Sequence, residues 1–424
     1  MAILIKNIRV IPLTIPFRED LAPHLVRSGL LSFANRVSLY RVELEDGSVG
    51  YGDAMGAPTD ISGFIGSDAV AGLRQIRHGG VQMACYDAVG RALDVPAHAL
   101  MGRQVRKRVS LGYWTAEVPP HLLAEHARAA RDRGYRVYKT KCRPWWDPIV
   151  QAQAAADAVG DEIQLWLDFN GHLRNAESAL PVLEALSRIG CVAGFESPIP
   201  QRDADGYERL QGEIELPIAA HYGSGCCHVL SIPNWDTGVP ALEQIQRGLC
   251  DAFVLGGAEL EVVRRRSEVA ATAALPFWIQ TLGTSLRVAW LAHVACTCEQ
   301  AVLSNLAGHT IWDRQLCALS PVVDGEFVVP EGSGLGVDID EEAVNALRSD
   351  AGLSEPRKIT SVVFASGARI HFSNEQQRHE AFYLGEAEGF QPGIRLETTV
   401  DDGSPEFEQK FLACQSSPVR EGTS

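Results

Sequence analysis

No apolar run in this 424-residue chain reaches the roughly 18 residues that a helix needs to cross a bilayer, so no membrane-spanning segment is expected. Its first residues, Met1-Ala-Ile-Leu-Ile-Lys6, lack the basic-then-apolar order of a secretory signal. Basic residues are in deficit: 38 Lys and Arg face 53 Asp and Glu, a formal net charge of −15. No lysine-rich or arginine-rich patch offsets that balance, which argues against nucleic acid and anionic membranes as partners. Arg264-Arg265-Arg266, a tight basic cluster, reads as a solvated helix face. Ten cysteines are present, but none form a CxxC pair, and a bridge between adjacent Cys226 and Cys227 would be strained. Reduced, mostly buried thiols and a cytoplasmic location are the expectation.

What remains is ordinary globular composition, 46% hydrophobic and 21% charged. The chain is too long for one ordinary domain, and a barrel of roughly 250 residues would leave room for a second module. Residues 1–105 read as strands followed by helices. Ile5–Thr14 and Val37–Glu45 alternate at strand spacing, Asp46-Gly47 supplies a turn before Val49–Asp53, and Val81–Val89 has helical spacing. Residues 106–320 carry a strand–helix rhythm. Its candidate strands are Arg108–Tyr113, Arg136–Cys142, Gln164–Asp168, Val192–Glu196, Pro217–His221, Ala252–Gly256, Pro276–Thr281 and Ala301–Asn305. Eight strands with seven helices between them is a barrel count. Residues 321–354 return toward the first module. In 355–424, a β-rich extension of unassigned role, Ile359–Phe364 and Arg369–Phe372 read as a hairpin, and the polar stretch from Gly403 reads as frayed.

The barrel strands end in ionisable residues. Lys139 and Lys141 lie two apart, hence on one face of their strand. Asp168 ends the next strand, and Glu196 the one after. In a β/α barrel the carboxyl ends of the strands gather such groups into one mouth. Two ammonium groups side by side repel, and burial lowers their pKa further, which would make one a usable base. Two carboxylates on adjacent strand ends suit a hard divalent cation. Trp145-Trp146, directly after the lysine strand, is expected to wall the pocket or to pack under the first module.

Several segments, in this order and spacing, resemble the enolase superfamily in its mandelate racemase/muconate-lactonizing branch. They are Asp46-Gly-Ser-Val-Gly-Tyr-Gly-Asp-Ala54, Tyr86-Asp-Ala-Val-Gly-Arg-Ala92, Lys139-Thr-Lys141, Asp168-Phe-Asn170, Glu196-Ser-Pro198 and Pro330-Glu-Gly-Ser-Gly-Leu-Gly-Val-Asp338. The similarity covers residues 1–350. It implies an α/β fold: an N-terminal α+β capping domain closing a modified (β/α)7β TIM-type barrel. It also implies removal of the proton next to a carboxylate, with the enediolate stabilised on Mg²⁺. Asp168 and Glu196 match the first two metal ligands, Lys141 the base, and Lys139 its neighbour. Asn170 matches a position that touches ligand or metal in some relatives, with a structural Asx turn as the alternative. Relatives assemble as dimers or octamers, so a homo-oligomer is expected.

The departures bear on function. Where the resemblance calls for a third acidic ligand, the chain has His221 or Tyr222. Histidine favours Zn²⁺, Mn²⁺ or Fe²⁺ over Mg²⁺. Either His221 completes an unusual site, with Mn²⁺ as an alternative ion, or the metal has two protein ligands and more water; a purely structural His221 is the third alternative. A second acid/base is missing too: Gly256 and Gln280 stand where Lys, Asp or His would. Further histidines available as a late acid are His172, His309 and His24, the last on the 17–33 loop. Candidate substrate contacts are Asn170, His24, Tyr222, Gln280 and His309. The expected function is dehydration of a sugar acid or similar small hydroxy-carboxylate, a carbon–oxygen lyase. Epimerase or cycloisomerase chemistry, or a barrel that only binds, are the alternatives.

Overall fold

The computed structural model describes residues 3–27, 35–56, 60–224, 237–257, 259–349, 351 and 356–422. Cys226, Cys227 and part of the 17–33 loop lie outside the described residues. The other eight cysteines are free and buried.

Strands β1 (Ile5–Thr14), β2 (Arg36–Leu44) and β3 (Val49–Met55) form an antiparallel meander. The Asp46-Gly47 turn joins the last two, with Asp46 accepting the Ser48 N–H at 2.9 Å and Gly47 at φ +89°. The helix Gly79–Leu93 lies on this sheet. Glycine is required beneath it: a Cβ on Gly50 would stand 2.8 Å from the Ala88 Cα, and one on Gly52 2.8 Å from the Ala84 nitrogen. Asp87 on that helix accepts N–H groups from Tyr51 at 2.9 Å and from Leu335 at 2.8 Å. One carboxylate thus fastens together β3, the helix and the returning Gly332–Asp338 segment.

Strand β4 (Arg108–Ser110) precedes seven parallel strands in one curled sheet. These are β5 (Tyr113–Trp114), β6 (Val137–Lys141), β7 (Gln164–Asp168), β8 (Val192–Glu196), β9 (Ile218–His221), β10 (Ala252–Gly256) and β11 (Phe277–Gln280). Each is followed by a helix: Pro120–Asp132, Pro148–Val159, Ala176–Ser187, Ala204–Glu213, Ala241–Gln246, Leu260–Thr272 and Ser285–Ala295. Asp147, Asn175 and Asp203 cap three of them, satisfying first-turn N–H groups.

Two strand expectations need correction. Of the first segment only Tyr113 joins the curled sheet, together with Trp114 beyond it; β4 instead pairs antiparallel with β12 (Glu326–Val328). The last segment is not a strand, but single bridges Leu111↔Asn305 and Gln280↔Leu306 close the barrel. There the Asn305 side chain does the work of a ladder. Its amide oxygen accepts the Ile279 N–H at 2.9 Å, and its amide nitrogen donates to the Ser110 carbonyl at 3.0 Å.

The extension is an antiparallel sheet ordered β15-β13-β14-β16, with β13 (Lys358–Val363), β14 (Arg369–Phe372), β15 (Arg395–Val400) and β16 (Val419–Glu421). The expected hairpin is β13–β14. The tail expected to fray is instead the helix Pro405–Ser416, because Phe407, Phe411 and Cys414 form an apolar stripe buried against Ile359. Trp145 and Trp146 neither wall the pocket nor lie under the first sheet. They join Val362, Ile370, Phe372 and Phe382 in a separate core, so the loop after β6 anchors the extension.

The helix Glu375–Tyr383 of that extension carries a pH-sensitive group. Burial pushes the Glu375 carboxyl up to about 8 from an ordinary 4.5, with Arg378 offsetting only part of the shift. A proton bound more tightly by the folded chain makes stability fall as pH rises from 4.5 through about 8. Glu375→Gln is therefore expected to hold its melting temperature across that window while the native protein loses some. Parallel melting curves for the two would sink this assignment.

Candidate active site

Register puts the ionisable residues at two levels. Lys141 pairs with Asp168 and Asp168 with Glu196, so these three strand ends are side by side. Lys139 pairs with Trp166, two residues and about 7 Å lower at the usual strand rise. Its four-carbon stem covers that drop and lifts the ammonium to the carboxylates. Lys139 Nζ is 3.1 Å from Asp168 Oδ2, ion-paired to Glu196 Oε2, and 2.5 Å from Gln280 Oε1. Lys141 Nζ lies 2.5 Å from the same Asp168 oxygen. His221 Nε2 is 3.1 Å from Glu196 Oε1. Lys139, Asp168 and Glu196 are at most 1% exposed, while Lys141 and His221 keep 15% of their side chains open at the mouth.

The charges do not behave as lysine repulsion alone suggests. Burial lowers the Lys141 pKa, but Asp168 and Glu196 outweigh it and the net shift is upward. Lys141 therefore rests as the ammonium. Burial raises Asp168, yet Lys141 and Lys139 hold it well below the carboxylate range. The interaction omitted from a lysine-only argument is the carboxylate one strand away.

Among the other candidates, Gln280 joins the cluster through Lys139. Asn170, left-handed at φ 46°, turns back so that its N–H reaches Asp168 Oδ1 at 3.0 Å, while its side chain accepts from Arg143 at 3.1 Å. Tyr222 lies elsewhere: strand alternation after His221 sends its ring outward onto Phe253 and Arg266. His24 is grouped with His126, His121 and Asp20. Burial first, then its two histidine neighbours, lowers its pKa to about 4. His309 is 3.3 Å from the Tyr135 hydroxyl and lines a separate cavity of about 460 Å³ with Arg18 and Arg133. His172 bonds His379 of the extension at 2.9 Å.

Two supporting groups carry no motif and escape a reading by spacing. Arg143, 1% exposed, is pinned by Glu117 at 2.9 Å behind Asn170. Gln201 accepts the His221 N–H at 2.8 Å and donates to its carbonyl at 2.9 Å, fixing the end of β9.

A cavity of about 600 Å³ opens at the opposite, amino end of the strands among Arg136, Gln164, Pro217 and Ser304. Lys139, Trp166 and Trp278 form its inner end. The two indoles stack edge-on at 5.2 Å over Gly194, where a Cβ would stand 2.7 Å from the Trp166 ring. The ionisable groups converge at the other end of the sheet, at the mouth, and only Lys139 also reaches this cavity.

The residues present fit the implied Mg²⁺ poorly. No group of three or more His, Cys, Asp and Glu side chains among the described residues is arranged to hold a metal ion. The third position offers a nitrogen already bonded to Glu196, whereas Mg²⁺ requires oxygen ligands in near-octahedral array. No helix of the described residues is long and apolar enough to cross a membrane.

Comparison with known proteins gives a consistent family. Residues 122–222, which span every ionisable residue of the cluster, match the family model "Enolase C-terminal domain-like". The chain is 24% identical over 380 residues to arabinonate dehydratase of Saccharolobus solfataricus, covering 79% of this chain and 97% of that one. It is 23% identical over 144 residues to N-succinyl-L-Arg/Lys racemase of Bacillus cereus, a match spanning 34% of this chain and only 39% of that protein. The fold superposes on muconate lactonizing enzyme from Pseudomonas fluorescens with a TM-score of 0.65 at 22% identity, covering 82% of this chain and all of that one. These matches agree in pointing to the enolase superfamily, in its mandelate racemase/muconate-lactonizing branch: residues 122–222 match its C-terminal domain, and the curled parallel sheet with its meander cap has the fold of its members.

Proposed function

We propose that this chain is an enzyme that binds a small hydroxy-carboxylate in the barrel mouth and moves the proton next to its carboxylate from one face only. Syn elimination of water, as in an acid-sugar dehydratase, is the favoured outcome. The observation that carries this reading is the one-sided distribution of proton-transfer groups. Lys141 opens to the mouth on β6, while across the barrel Gly256 and Gln280 pair in register and offer none. In the elimination the C–H bond next to the carboxylate and the neighbouring C–O bond break. Lys141 must first release its resting proton to solvent at the open mouth; the free amine then takes the substrate proton and returns it to the departing hydroxyl, so water leaves and an enol remains. Relatives named as dehydratase, racemase and cycloisomerase support catalysis at the level of the superfamily and leave lyase and isomerase both open.

One observation favours a second reading, a barrel that binds without reacting. Asp168 and Glu196 are both neutralised from within by lysines, and Lys141 rests protonated. Incubation of acid sugars and other 2-hydroxy acids in D₂O, followed by NMR, separates the two. Deuterium entry or elimination from a single face is expected. Equal exchange of both epimers would overturn the one-sided mechanism, and binding without exchange would leave the second reading.

A further inference from the structure

We infer that the cation at the centre of this barrel is the Lys139 ammonium, which Asp168 and Glu196 hold where a divalent metal ion would otherwise be bound. An ammonium has three N–H donors. Lys139 faces three acceptor oxygens from three different strand ends: Asp168 Oδ2 at 3.1 Å, Glu196 Oε2 in an ion pair, and Gln280 Oε1 at 2.5 Å. A donor set drawn from β7, β8 and β11 around one buried positive charge has the form of a coordination shell, with nitrogen in place of a metal.

Each carboxylate oxygen already faces a partner in the cluster, although Glu196 Oε2 meets Lys139 as an ion pair and not as a hydrogen bond. Asp168 Oδ2 takes both lysines and its Oδ1 takes the Asn170 N–H. Glu196 Oε2 takes Lys139, and its Oε1 is 3.1 Å from His221 Nε2. Charge balances as well, two ammonium groups against two carboxylates. A divalent ion added at the same buried oxygens would stand beside two ammonium groups, and like charges at such range repel strongly. Gln280 and His221 belong to the same substitution. Gln280 supplies a neutral acceptor where an acid/base would stand, and His221 takes the place of the third acidic ligand. Lysine is then a fixed internal cation, and the chain needs no divalent ion to fold or to hold its mouth together.

The test is a titration of the purified full-length chain with Mn²⁺, read by electron paramagnetic resonance, with melting temperatures recorded in Mg²⁺ and in EDTA. No one-per-chain Mn²⁺ site is expected with a dissociation constant tighter than about 1 mM, and EDTA should leave melting unchanged. Anything that binds the folded chain alone would raise it. Lys139→Met keeps the stem and removes the charge, and should create a one-per-chain Mn²⁺ site that Asp168→Asn removes. Micromolar Mn²⁺ binding to the native protein, abolished by Asp168→Asn, would overturn the proposal. Weak binding that survives Asp168→Asn belongs to the acidic surface and leaves the proposal standing. Should Lys139→Met fail to fold, the titration of the native protein still decides. The inference stands apart from the proposed reaction: the titration reads the cation and deuterium exchange reads the chemistry, so each can fail alone.

Discussion

Lys141→Ala is expected to slow exchange of the proton next to the substrate carboxylate by roughly 10²–10⁴-fold, the usual cost of losing a positioned base. Lys141 is the lysine of the pair that reaches the mouth, 15% exposed against 1% for Lys139. It is paired to Asp168 at 2.5 Å, so the substitution also frees an oxygen and alters binding. Binding losses alone would raise KM, whereas loss of the base lowers kcat, and the split between them identifies the role. Lys141→Arg supplies the control. Its guanidinium can keep the pair with Asp168 but cannot shed a proton near neutral pH. It should therefore fold and bind like the native chain and remain slow. Full exchange in either variant would place the base elsewhere.

The geometry of the mouth was more legible in the sequence than its electrostatics. Alternation within a strand and the rhythm of the βα units bring Lys139, Lys141, Asp168 and Glu196 to one end of one sheet, and both follow from spacing alone. The same alternation sends Tyr222 outward. It was countable from His221, had the end of β9 been known to one residue. The direction of the Lys141 shift was not legible, because it depends on which neighbour stands closest. In the sequence the two lysines are neighbours; in the barrel the carboxylate of the adjacent strand comes nearer than the repulsion can offset. His24 and His309 show a different limit. Their place along the chain is plain, but which side of the barrel wall the short helices carrying them pack on depends on distant partners such as His126 and Tyr135. The helix of the tail is hidden in the sequence for a simpler reason. Its apolar residues at 407, 411 and 414 have helical spacing, but the polar residues between them masked a stripe that buries only against β13.

Arg287→Met is expected to cost about 3–5 kcal/mol of stability, the penalty for leaving one member of a buried ion pair without the other. Asp53, last of the Val49–Asp53 run, is fully buried. It lies 3.0 Å from the Arg287 guanidinium and accepts the Thr284 N–H at 2.7 Å. Arg287 also donates to the Asp53 carbonyl. The pair joins β3 of the cap to the first turn of the helix Ser285–Ala295 that follows β11, so it fixes the cap on the barrel. Burial lowers the Arg287 pKa despite Asp53, which means the guanidinium is held at a solvation cost that only the carboxylate offsets. Arg287→Met strands that carboxylate. A double variant, Arg287→Met with Asp53→Leu, removes both charges and fills the space with apolar atoms. It should lose less than Arg287→Met alone, since uncharged replacements of a buried pair are often close to neutral. Chemical denaturation of the two single variants and the double one measures the coupling. Additive losses would mean that Arg287 and Asp53 act independently and that the cap is held by its apolar contacts.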